Sequence, residues 1–320
     1  MQLRHPMLAQ AFALSKAGRN PEAVLIINRL VAENEPEALF VLAEMKWRGG
    51  MVPQDLVQAR DLYLRAGDLG HAAGGIIFTN LLANGVAGER DWPAALARLA
   101  REGERDLRRR AQSALVERMA LDGAGDPRSA PEPQALSTSP VVQLFPRLFS
   151  AAECDYLRQL AEPGYTASAV YDEQRRLVRD PIRTSDGSTI HWQIEDPVVH
   201  ALNRRLAAAS GSTADRGEAL QILRYRPGQQ YRNHFDFVQS SENQRVQTAL
   251  VYLNHDYKGG ETCFVRTGLK VKGRKGDALV FRSALPDRTV DPLSEHAGLP
   301  VTSGTKLIAS RWIREKRWTP

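Results

Sequence analysis

The chain has 320 residues, 42% of them apolar, which suits two packed domains, or one with a helical appendage, and excludes global disorder. Its net charge of +6 is spread along the chain, with no tract of interleaved basic and aromatic residues, so a nucleic-acid partner is not expected. No run approaches the roughly 18 apolar residues of a membrane span, and two cysteines far apart in sequence, Cys154 and Cys263, argue against a disulfide framework. A reducing, cytoplasmic setting without a membrane partner is therefore the expectation. The opening residues, MQLRHPMLAQAFALSKAGRN, have no long apolar run or clear cleavage site and read as a first helix.

Residues 1–121 carry Ala and Leu at three- and four-residue spacing, the pattern of helices. An internal repeat runs through them. A shift of 35 residues sets Ala38 on Ala73, Gly50 on Gly85 and Ala59 on Ala94. Each unit reads as helix, glycine turn, helix, the period of a helical-hairpin solenoid. Residues 122–140, DGAGDPRSAPEPQALSTSP, lose all periodicity and are expected to be a linker.

From Val141 to the end of the chain, residues 141–320, the pattern changes. VVQLFPRLF is strand-like, and SAAECDYLRQLA is a helix with a capping box from Ser150 to Glu153. DPVVHALNRRLAAAS is another helix. Strand candidates follow at ALQILRYR, NHFDFV, QTALVYLN, GETCFVRT, LKVKG, GDALVF and KLIASRWI. The fold class is α+β: a helical repeat domain, then a domain whose strands close into a barrel or sandwich.

One constellation carries chemistry. His234 and Asp236 are two apart on a predicted strand, so strand alternation points both side chains to one face. His296, between the strands GDALVF and KLIASRW, is the candidate third ligand. Two histidines and a carboxylate on one face of an octahedron leave three positions open, as non-haem Fe(II) oxygenases require. Lys306 lies ten residues further on, within an apolar strand. A lysine there is costly to bury alone, but it suits the distal carboxylate of 2-oxoglutarate. Taken singly each residue is ordinary: a His-x-Asp triplet arises by chance, and a strand lysine is usually exposed. Their order and spacing together point to the site. His5, His71, His191, His200 and His255 lack a matching carboxylate and are read as structural.

The residues of this second half resemble the catalytic domain of the prolyl 4-hydroxylase family, over about residues 139–320. Y-x-x-G-x-x-Y-x-x-H-x-D is carried by Tyr225, Gly228, Tyr231, His234 and Asp236. R-V-x-T-x-L-x-Y-L is carried by Arg245, Val246, Thr248, Leu250, Tyr252 and Leu253, and G-G-E-T-x-F by Gly259 to Thr262 and Phe264. H-A-G-x-P-V, G-x-K and W-I follow at His296, Gly304, Lys306 and Trp312, and R-T-S-x-G lies upstream at Arg183. In the first half, A-L-x-x-L-A, R-G-G-M-V-P-Q-D and A-x-x-L-Y-x-x-A-G resemble Sel1-like repeats of the tetratricopeptide type, whose arrays usually bind peptides or proteins. The alternative is that the helices only dock on the downstream domain.

These resemblances imply a double-stranded β-helix (jelly-roll, cupin-like) oxygenase domain behind a Sel1/TPR-like arm. They imply Fe(II) on His234, Asp236 and His296, with 2-oxoglutarate held by Lys306, Tyr225 and Thr262. O2 would be the oxidant and ascorbate a candidate reductant. Tyr231, Arg245 and Trp312 would line the substrate side. The implied reaction is hydroxylation of a prolyl or other residue in a peptide or protein, which the repeats could recruit. A free amino acid or other small molecule is the alternative substrate, and a scaffold with a vestigial metal site is a third reading. Asp236 argues against halogenation, which must free that ligand position. The chain departs from many relatives at Arg314, where they carry His, at Leu307, where several carry Trp, and in the short polar loop VQSSENQ. These departures bear on the substrate and leave the iron ligands untouched.

Overall fold

The computed structural model describes residues 5–129, 131–168, 170–171, 177–178, 181–239 and 241–318. By contacts it forms two compact units, Met1–Val116 with Trp192–Val198, and Glu117–His191 with Val199–Pro320. Among the described residues no helix is long and apolar enough to cross a membrane.

The first unit contains helices α1 (Pro6–Lys16), α2 (Asn20–Ala32), α3 (Pro36–Arg48), α4 (Leu56–Asp68), α5 (Ala72–Asn84), α6 (Trp92–Gly103) and α7 (Leu107–Glu117). The repeat is real, but its register is one residue longer than the sequence alignment gives. Glu35 caps α3 as His71 caps α5, and Asp55 caps α4 as Asp91 caps α6. Gly49 and Gly85 both end a helix at positive φ. Every pair is 36 apart, so Gly50 is not the partner of Gly85. The mismatch arises because small residues recur on both helices and align almost equally well in neighbouring registers. Within the unit α4 and α5 touch closely: a Cβ on Gly67 would lie 2.6 Å from the Cα of Gly75. Leu39, Leu62, Tyr63, Leu81 and other buried side chains form a continuous core. Each such large apolar side chain contributes about 1.5–3 kcal/mol. His5 and His71 accept backbone N–H bonds at the starts of α1 and α5, which bears out their structural reading.

The second unit adds helices α8 (Ala151–Ala161) and α9 (Pro197–Ala209), the first with the expected capping box. Its strands are β1 (Gln134–Thr138), β2 (Val141–Phe145), β3 (Thr166–Ala167), β4 (Val170–Tyr171), β5 (Leu177–Val178), β6 (Asp186–Ile190), β7 (Leu220–Tyr225), β8 (Tyr231–His234), β9 (Arg245–Tyr252), β10 (Lys258–Gly259), β11 (Thr262–Phe264), β12 (Lys270–Val271), β13 (Ala278–Arg282), β14 (His296–Gly298), β15 (Val301–Ser303) and β16 (Lys306–Arg314). A large antiparallel sheet has the order β1-β2-β13-β9-β16-β7-β6-β3, and a smaller one β12-β11-β14-β8. This is the jelly-roll arrangement, with the core of Leu223, Tyr252, Phe264, Phe281 and Ile308 joining the two sheets. Part of the stretch expected as linker is ordered into it: β1 pairs with β2 along the sheet edge. Its short alternation, LST beside proline, carries too little apolar signal to be read as a strand.

Candidate active site

The site is built from both sheets. His234 closes β8 and His296 opens β14, and the two are direct register partners. Asp236 lies two residues beyond the end of β8, in a bend and not on the strand that the sequence suggests. Alternation nevertheless persists, with Phe235 partly exposed and Asp236 buried. The ligand atoms of His234, Asp236 and His296 all lie within 4.8 Å of one another. His234 Nε2 is 3.7 Å from Asp236 Oδ1, and His296 Nε2 is 3.5 Å from Asp236 Oδ2.

The backbone sets the ring orientations. His234 Nδ1 lies 2.7 Å from the Arg232 carbonyl, and His296 Nδ1 lies 2.9 Å from the Ser294 carbonyl. A carbonyl only accepts, so each Nδ1 carries a proton, and each Nε2 is the ring atom turned toward the carboxylate. Burial pushes His234 down to about 3, helped by neighbouring His296. Burial works against ionising Asp236, but His296, His234 and the Thr248 hydroxyl outweigh it and bring the acid down to about 2. Neutral imidazole and ionised carboxylate are the forms that bind a divalent metal. Thr248 on β9 donates to Asp236 Oδ2 at 2.6 Å. It lies in the R-V-x-T motif, which singles it out, but its contact is invisible without the fold.

Deeper in, Lys306 opens β16 opposite Tyr225, the last residue of β7. Lys306 is 3% exposed, and its ammonium donates to the Gly260 carbonyl at 2.7 Å. Among the described residues no carboxylate forms an ion pair with it, and burial pushes it down to about 8. The Gly259–Gly260 turn has positive φ at both residues, and a Cβ on Gly260 would lie 3.1 Å from the lysine stem. Only glycine lets this carbonyl approach so closely. Thr262 on β11 and Tyr225 line the same cavity.

At the other end lie Tyr231 and Trp312. Tyr231 stacks on His234, with ring centroids 3.4 Å apart, and burial raises its phenol. Arg245 is not among the lining residues. Glu218 holds it by two bonds of 2.6 and 2.8 Å, and its guanidinium lies 3.8 Å from the Trp312 ring centroid. Arg314 shares the same Glu218 and caps the loop carbonyl of Asn243. Arg183 lines the cavity instead, 5.1 Å from the Tyr231 ring. Arg183 Nε and Trp312 Nε1 are buried donors without an acceptor among the described residues.

Residues 220–314 match the 2OG-Fe(II) oxygenase superfamily. Prolyl 4-hydroxylase 1 of Arabidopsis thaliana is 36% identical over 205 residues, covering 58% of this chain and 72% of that protein. The chain belongs to the prolyl 4-hydroxylase family. As a member it is an Fe(II)- and 2-oxoglutarate-dependent dioxygenase, and the donor set fits both groups: two imidazoles with a carboxylate, and a buried ammonium that no carboxylate ion-pairs among the described residues. This prolyl 4-hydroxylase homologue is also similar to a viral collagen prolyl hydroxylase from Paramecium Bursaria Chlorella virus-1, solved as its 2OG complex. The identity is 30% and the TM-score 0.45, over 54% of this chain and 95% of that one. A Sel1 repeat protein from Oxalobacter formigenes is similar over 37% of this chain and 46% of its own, with 15% identity and a TM-score of 0.30.

Proposed function

We propose that the chain hydroxylates a prolyl residue of a peptide or protein. One oxygen atom of O2 enters the C–H bond, and the other enters 2-oxoglutarate, which leaves as succinate and CO2. The observation that carries the reading is the His234, Asp236 and His296 cluster beside the buried Lys306, which no carboxylate ion-pairs among the described residues.

In this reading His234, Asp236 and His296 hold Fe(II), and Lys306 holds the distal carboxylate of 2-oxoglutarate with Tyr225 and Thr262. The bound iron and cosubstrate supply the oxidising chemistry. The protein supplies position. Thr248 fixes the Asp236 carboxylate, and the two backbone carbonyls fix the imidazoles. Tyr231 and Trp312 offer aromatic walls to a pyrrolidine ring. Among the described residues Arg183 Nε and Trp312 Nε1 have no acceptor, and a peptide carbonyl would supply one. Arg245 acts indirectly, bracing Trp312 under the hold of Glu218. The free thiols of Cys154 and Cys263 support a cytoplasmic setting; ascorbate is the proposed reductant.

A free amino acid is the second reading. Among the described residues the side-chain hydrogen-bond partner of Arg183 is the neutral Gln221, and a substrate carboxylate would pair with its guanidinium. Proline-containing peptides capped at both ends, tested against free proline, separate the two. The proposal expects capped peptide to gain the mass of one oxygen atom, at a residue that then analyses as hydroxyproline. Oxidation of free proline alone would overturn it in favour of the second reading.

A further inference from the structure

The helical unit takes in one stretch from outside α1–α7. Residues Trp192–Val198 comprise the loop that leads from β6 to α9 and the first two residues of α9, yet they group with α1–α7 by contacts. The helices hold this stretch in the manner of a bound peptide. Asn80 Nδ2 donates to the Gln193 carbonyl at 2.8 Å, and Asn84 Nδ2 to the Trp192 carbonyl at 2.9 Å. Two amides one helical turn apart on α5 thus read two successive main-chain carbonyls.

Side chains are read as well. Gln193 Nε2 donates to Glu44 Oε1 at 2.8 Å and to the Tyr63 hydroxyl at 2.6 Å, while Tyr63 itself donates to Glu44. Gln112 of α7 donates to Asp196 Oδ2 at 3.0 Å. Trp192 packs on the helical core. The reading groups are themselves fixed. Arg109 donates to Asn80 Oδ1 and Gln112 Oε1, and is anchored by Glu102. Tyr63, Asn80, Arg109 and Gln112 are all more than nine-tenths buried.

So many buried polar groups converging on five residues cost stability unless each finds its partner. A plain structural contact would need only an apolar face. We propose that the surface of α3, α4, α5 and α7 is a sequence-reading peptide site. Its ligand pattern is Trp-Gln-x-x-Asp, and its occupant is the chain's own Trp192–Asp196. The helices therefore do not offer this surface to a recruited substrate. A partner reaches it only by carrying the same pattern and displacing the internal segment. The internal copy competes at an effective concentration on the order of millimolar.

The test uses the full-length chain with Trp192→Ala and Gln193→Ala, which vacates the site, and a fluorescent peptide spanning residues 188–197. The peptide should bind this variant at least about tenfold more tightly than wild type. Replacing Gln by Ala in the peptide, or adding Asn80→Ala to the protein, should remove binding. Equal binding to both chains, or none to a variant whose circular dichroism and melting match wild type, overturns the proposal. Should that variant fail to fold, hydrogen exchange of Asn80→Ala/Asn84→Ala decides. Residues 191–198 should then lose at least about tenfold protection while α3 to α6 keep theirs, and unchanged protection overturns the proposal.

Discussion

Lys306 and Tyr225 face each other in register across β16 and β7, and the ammonium lies 5.4 Å from the Tyr225 ring centroid. The pair leaves a buried cation whose partners are a ring face and the Gly260 carbonyl. Such an arrangement is unfavourable until an anion arrives.

That imbalance has a pH signature. Lys306 titrates near 8 in the folded chain, below the 10.5 of a free lysine. Between those values the unfolded state holds more protons, so the stability of the ligand-free chain rises with pH across this window. Below pH 8 the cost of the buried charge is fully present. Lys306→Met should raise the low-pH melting temperature of the ligand-free chain, and calorimetry at pH 7 and pH 10 checks it. The same variant should weaken 2-oxoglutarate binding by about a hundredfold or more. In wild type that binding should weaken as pH rises above 8.

Thr248 positions Asp236 through a 2.6 Å bond. Thr248→Val keeps the shape and removes the donor. Metal affinity should fall by about 10–100-fold, with Thr248→Ser restoring most of it. Titration with Co(II), followed by its visible absorption, reads the affinity directly.

Acid should act through His234. Its folded value near 3 lies below the 6.5 of a free imidazole, so its contribution to stability is lost as pH falls through that window. Asp236 is lowered from 3.8 to about 2, so its own contribution begins to fade only below pH 3.8 and is lost as pH falls through 2. The metal-free chain should therefore become less stable from pH 6.5 downward, and His234→Leu should flatten that slope. Urea unfolding at a series of pH values measures both.

Trp312 presents a buried N–H without an acceptor among the described residues. Trp312→Phe keeps the aromatic wall and loses the donor. The KM for a peptide substrate should rise by about 2–10-fold, with the KM for 2-oxoglutarate unchanged. Steady-state kinetics with each substrate varied in turn tests the split.

The site was largely legible in the sequence because metal and cosubstrate chemistry demand particular residue types in a fixed order. His234, Asp236, His296 and Lys306 all fall where that order puts them. What escaped depends on contacts that leave no pattern. Asp236 lies past the strand end because β14 supports β8 only to His234. Arg245 is turned to Glu218, a residue 27 positions away that no motif pairs with it. The hold of Asn80 and Asn84 on main-chain carbonyls has no sequence trace in its target, since every residue offers a carbonyl. Likewise β1 is recruited by its neighbour β2 more than by its own composition.

The central claim is that His234, Asp236, His296 and Lys306 make one iron- and 2-oxoglutarate-dependent centre. The most direct test is succinate formation by anaerobically purified full-length protein, given Fe(II), 2-oxoglutarate and a proline-containing peptide, before and after O2 is admitted. Succinate should form only with O2, rise when peptide is added, and vanish in both His234→Ala and Lys306→Ala. Wild-type protein that binds no iron and forms no succinate, or variants that form it as well as wild type, would contradict the assignment.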